Sequence, residues 1–194
     1  MQVIEYPTPN LIEDLNAYVR ASLTPISRRL HLKPIEESHI GAVLVHAASN
    51  PGSYALPSMY VPAWYNSLVN RLRDMEETPF SGMDKPTWED MGNALLFQVG
   101  FFPDALRRKG ERSRQFFQRM GVSAYYAESD KMRNVSPSSS ERLYELGEHF
   151  DVMVRAITEI KLMEEDLGSS TLQDRIEGCL GNFNENSPLL TRTQ

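Results

Sequence analysis

Apolar side chains recur at intervals of three and four along most of the chain. Leu11, Leu15, Tyr18 and Val19 share one helical face, as do Val61, Trp64, Tyr65, Leu68, Leu72 and Met75. The clearest run is Leu143, Leu146, Phe150, Met153, Ile157 and Ile160, a narrow seam suited to packing along a neighbouring helix. No segment alternates strictly between apolar and polar positions around a hairpin turn, so the fold class is all-α. Proline placement and cap residues divide this pattern into elements. Pro25, Pro34 and Pro62 stand where a first helical turn tolerates a missing N–H. Asn10 with Glu13, Thr87 with Asp90 and Ser138 with Glu141 are spaced as capping boxes. Together these signals predict seven or eight helices, over residues 9–23, 25–32, 34–48, 62–77, 87–102, 111–130, 138–166 and 170–180. The expected architecture is a compact single-domain bundle over residues 1–181, followed by a flexible C-terminal tail, 182–194.

The helix predicted at 87–102 differs from the rest. Ala94 to Phe102 carries apolar residues on nearly every side, interrupted by Gln98 and Gly100, which marks an element enclosed by others. It is the expected buried central helix, with Pro103 ending it. Beyond the proline come Arg107, Arg108, Lys109, Arg112, Arg114 and Arg119, with Glu111 the single acid among them. In the next helix Phe116, Met120 and Ala124 are expected on one buried face, and the small Gly121 and Ala124 allow a neighbour close approach. Of Tyr125 and Tyr126, one is expected to be half-buried with a bonded hydroxyl and the other more exposed.

The residues Gly92, Ala94, Leu95, Gly100, Phe101, Phe102, Pro103, Leu106 and Arg108, then Met120, Gly121, Ser123, Ala124 and Tyr125, carry a resemblance. This Gly-Phe-Phe-Pro-x-x-Leu-x-Arg segment followed by Met-Gly-x-Ser-Ala-Tyr resembles a family of small all-helical bacterial proteins of uncharacterised function. Asn93 stands where that family has Asp. The resemblance spans residues 91–127 and implies a bacterial, intracellular helical protein without implying an activity.

Composition narrows the function classes. The 194 residues are 41% hydrophobic and 24% charged, as expected of a globular protein that buries a core. A net charge of −6 argues against a general nucleic-acid coat protein. Cys179, the one cysteine, excludes an intrachain disulfide and reads as a small buried hydrophobe. The N-terminal segment has no signal-peptide pattern and no apolar run reaches spanning length, so a cytoplasmic protein without membrane association is expected.

Against an acidic background, the cationic cluster is the strongest functional pointer. Arg107, Arg108, Lys109, Arg112 and Arg114 are the candidate partner-binding residues, suited to an acidic protein surface or a phosphorylated ligand. From Glu141 to Glu177 there are ten acids against four bases, enough to match the cluster within the chain or across a subunit contact. Metal chemistry has a thinner basis. Glu36 and His39 form one Glu-x-x-His step, and Glu145, Glu148 and His149 stand together, but the second such step of a di-iron carboxylate bundle is missing. Glu36, His39 and His149 remain candidate ligands, and no cofactor is implied. No nucleophile elbow, phosphate-binding loop or dinucleotide fingerprint occurs.

The favoured reading is therefore a non-catalytic interaction, adaptor or regulatory protein that docks on another protein, or on itself, by charge complementarity. The alternative is an enzyme or small-ligand protein with an interhelical pocket walled by Tyr54, Tyr60, Trp64 and Tyr125. A nucleic-acid-associated regulator is the second alternative.

Overall fold

The computed structural model describes residues 11–49, 87–104 and 111–167. The regular elements among them are six helices: α1 (Leu11–Leu30), α2 (Pro34–Ser49), α3 (Trp88–Phe101), α4 (Glu111–Met132), α5 (Pro137–Glu148) and α6 (Phe150–Leu167). No strand occurs among the described residues, so the all-α expectation holds there. The helices expected at 62–77 and 170–180, the tail at 182–194, the Asn10 cap and Cys179 lie outside the described residues. Two compact units result: one formed by residues 1–53 and 155–194, the other by 54–154.

In the first unit, α1 and α2 form a helical hairpin around a short turn. The break expected before Pro25 is absent, because α1 runs through that residue to Leu30. Proline removes one backbone donor, at a cost of about 3 kcal/mol in a helix interior. The buried stripe Leu15, Val19, Leu23 and Ile26 continues in register across it, and this packing carries the helix past the proline. Thr24 Oγ1 also donates to Arg20 O at 2.8 Å within this turn. At the far end Leu32 N donates to Ser27 O at 3.0 Å, the outer bond of a Schellman closure. The residue in the left-handed position is His31, with φ 54°. A side chain there is strained, so His31→Gly is expected to stabilise the unit by about 1 kcal/mol, read as a higher urea midpoint.

Buried Ile40, Val43, Leu44, Ala47 and Ala48 form the inner face of α2. The 155–167 part of α6 contributes Ala156, Ile157 and Ile160 to the buried set. It is tied to α1 by Tyr18, whose hydroxyl donates to the buried Glu164 Oε1 at 2.6 Å, and by an Arg29–Glu159 ion pair.

In the second unit, α3 and α4 pack antiparallel, as do α4 and α5. The Thr87–Asp90 capping box forms in full: Thr87 Oγ1 accepts from Asp90 N at 3.1 Å, and Asp90 Oδ2 accepts from Thr87 N at 2.7 Å. Glu128 of α4 adds a second anchor, accepting from Trp88 N at 3.1 Å, which places a buried carboxylate on the positive end of α3. Leu95, Leu96, Phe97, Val99 and Phe101 are all buried, and α3 ends ahead of Pro103.

At the turn end of the α4–α5 contact two serines meet. Ser129 Oγ donates to Ser140 O and Ser140 Oγ donates to Ser129 O, both at 2.8 Å, a reciprocal clasp closing the four-residue turn between them. Ser138 and Glu141 do not start α5. Its N-cap is Ser136 with Pro137 next, and Ser136 Oγ pairs with Ser139 Oγ at 2.8 Å instead of capping. The long helix expected over 138–166 is two helices, α5 and α6, separated by His149. All six residues of its predicted seam, Leu143 to Ile160, are nevertheless buried.

Candidate functional site

The buried stripe of α4 is Phe117, Met120, Gly121, Ala124, Tyr125 and Glu128, one side of a helix by spacing. Phe116 was expected to join Met120 and Ala124 inside. It is the outward member of the pair, 41% exposed, while Phe117 is buried. Their rings still meet edge to face, with centroids 6.0 Å apart. Adjacent residues point about 100° apart on a helix, and spacing to Gly121, Ala124 and Tyr125 places Phe117 on the buried side.

This registration gives α4 an outward face of Gln115, Phe116, Arg119 and Ser123, all exposed. Gln115, Gln118, Arg119, Val122 and Ser123 line a shallow depression of about 530 Å³ along it. An aromatic ring beside a guanidinium, both accessible, is the side-chain pairing that protein interfaces favour. Of the cations predicted to bind a partner, Arg114 is half-buried at the start of this helix. Arg107, Arg108 and Lys109 fall outside the described residues, as does the side chain of Arg112. All of them precede Phe116 in the chain.

The proposed pocket walls divide similarly. Tyr54, Tyr60 and Trp64 lie outside the described residues. Tyr125 is fully buried; its ring lies against Gly92 and its hydroxyl donates to Asn93 Oδ1 at 2.8 Å. The residue that departs from the resembled family thus serves as hydrogen-bond acceptor for a core tyrosine, a role its amide oxygen fulfils. Tyr126 is partly exposed and stacks on Tyr144 with centroids 5.2 Å apart. The hydroxyl of Tyr126 donates to Glu148, and that bond, with burial and the nearby carboxylate charge, pushes its pKa up to about 12.

The candidate metal ligands also occupy defined positions. On α2, Glu36 is buried and accepts from Lys33 N at 3.0 Å, closing the first turn, while His39 is buried one turn later. In the second unit Glu145 and His149 are half-buried, and His149 N donates to Glu145 O at 3.1 Å where α5 ends.

Sequence reasoning passed over several polar partnerships that shape the surface. Arg142 Nη2 of α5 donates to both carboxylate oxygens of Glu89 on α3, at 2.7 and 2.9 Å. Glu159 and Glu164, counted among the acids available to match the cationic cluster, bond to α1 instead. Such pairs join residues far apart in the chain, and nothing in local spacing announces them. Among the described residues, no helix is long and apolar enough to cross a membrane. No protein-family model, curated protein or solved structure matches the chain.

Proposed function

We propose that this chain is a non-catalytic bacterial protein of the cytoplasm that docks onto an acidic protein surface by charge complementarity. Membership of the uncharacterised helical family suggested by its Gly-Phe-Phe-Pro and Met-Gly-x-Ser-Ala-Tyr segments belongs to the same reading. The observation that carries it is the outward face of α4, where Phe116 and Arg119 are exposed together directly after a cation-rich segment. Cations at the rim steer an acidic partner to the surface, and the aromatic ring supplies the apolar contact that retains it. The protein's own net charge of −6 favours a protein partner over nucleic acid, whose phosphates the remaining surface would repel.

The test uses poly-L-glutamate as the acidic probe and a single-stranded oligonucleotide as the competing one, with binding followed by fluorescence anisotropy from 50 to about 500 mM NaCl, a range over which screening grows. Poly-L-glutamate is expected to bind at low salt and to release as salt rises. Arg119→Glu should weaken it about tenfold, and Arg107→Glu with Arg108→Glu and Arg112→Glu more. Unchanged binding by these variants, with helical circular dichroism intact, overturns the reading. Tighter, salt-sensitive binding of the oligonucleotide overturns it in favour of nucleic acid.

A further inference from the structure

Among the described residues, two large apolar side chains stand exposed in surroundings of opposite charge. Phe116, on α4 of the second unit, has the exposed Arg119 one turn further along the same face. Leu162, on α6 of the first unit, is 51% exposed and has Glu159, Glu165 and Asp166 near it along the helix. The surface around Leu162 is concave. It is an open groove of about 560 Å³ between α1 and α6, with Ile26, Leu162 and Met163 as apolar lining. Glu159 and Asp166 supply the carboxylates of its edge. Arg29 also lines it and is paired with Glu159, and Glu165 beside it is paired with Lys161 at 3.4 Å, so Asp166 presents the acidic side of the groove.

One surface is an exposed aromatic ring with a guanidinium, Arg119, beside it. The other is an apolar groove with an acidic edge, large enough to receive a phenylalanine side chain. The two are complementary in shape, polarity and sign, and every molecule carries one of each in equal number. We infer that the acidic partner of the α4 face is a second copy of this chain, with Phe116 seated in the α1–α6 groove and Arg119 against Asp166. This rests on the docking role proposed for α4 and names what that face meets. Because the two surfaces differ, the contact is heterologous. It either occurs twice about a two-fold axis or repeats from copy to copy.

Sedimentation velocity on the full chain between about 5 and 500 μM tests this, at 50 mM and at about 500 mM NaCl, where screening shortens the reach of the charges. The expected result is a sedimentation coefficient that rises with concentration at low salt and stays at the monomer value at high salt. Arg119→Glu and Asp166→Lys should each weaken association about tenfold. Mixing the two variants should restore it, since each copy then meets a complementary charge at both contacts. Leu162→Asp, at an exposed position that leaves the fold intact, should weaken the low-salt association.

A wild-type chain that stays monomeric throughout the low-salt series overturns the inference. So does association that the single reversals leave unchanged, or that mixing fails to rescue. If the chain is monomeric but still binds poly-L-glutamate through Arg119, the docking role of α4 stands and only the second copy as partner falls. Loss of both would remove the docking role as well.

Discussion

Gly121→Val is expected to destabilise the protein by about 3 kcal/mol, a loss near the upper end for overpacking a core. A β-carbon placed on Gly121 would stand 2.3 Å from the Cζ atom and 2.5 Å from the Cε2 atom of Phe150, far inside van der Waals contact. The ring has no free space to retreat into, since Phe150 is buried and its centroid lies 5.9 Å from that of the fully buried Tyr125. Helix propensity favours the substitution by about 0.5 kcal/mol, well short of the steric cost. Urea unfolding followed by circular dichroism checks this through the midpoint. Phe150→Ala gives a second readout: the double variant should be less destabilised than the two single losses added, by about 1–2 kcal/mol, because the valine fills part of the space vacated. Strict additivity would show that the two residues do not share this contact.

Leu95→Ala should cost about 3 kcal/mol. Leu95 is wholly inaccessible on a helix whose Leu96, Phe97, Val99 and Phe101 are also buried, so neighbours on several sides hold the space open when the side chain is truncated. Cavity formation then adds to the lost transfer energy. The same truncation at Leu162, half in solvent, should change stability by no more than about 0.5 kcal/mol. A comparable loss at both positions in urea unfolding would contradict the burial on which the α3 assignment rests.

Local signals were readable wherever one physical preference dominated. Thr87 and Asp90 are three residues apart and bond reciprocally, as that spacing requires. Of the apolar run from Ala94, Leu95, Leu96, Phe97, Val99 and Phe101 are buried, and the seam from Leu143 to Ile160 turned inward throughout. The failures have a common origin in packing that overrides, or tolerates, a local break. Pro25 reads as a helix start, yet Leu23 and Ile26 are buried on either side and the helix continues. At His149 the reverse holds. Leu146 and Phe150 keep their four-residue interval, so the seam passes the interruption without a change in pattern.

The candidate surface was legible in charge but not in register. A cluster of arginines can be counted in the sequence, whereas the choice between Phe116 and Phe117 as the outward ring depends on which neighbours α4 meets. Buried carboxylates were the least legible. Glu128 receives the α3 amide of Trp88, and Glu164 receives the hydroxyl of Tyr18; both bonds join residues at least 40 positions apart. Taken singly, each glutamate resembles any exposed acid on a helix.

The first unit is assembled from two ends of the described chain, and this sets a timetable for its synthesis. Tyr18 and Glu164 are 146 positions apart, and Arg29 and Glu159 are separated by 130. At about 5–20 residues per second, on the order of ten seconds pass between completion of the α1–α2 hairpin and translation of the residues that bind it. During that interval Tyr18 and Arg29 lack their later partners, and Ile26 lacks Leu162 and Met163 across the groove, which makes the nascent hairpin the stage most open to chaperones and to misassociation. Long-range closure of this kind slows folding relative to helical proteins built from neighbouring segments.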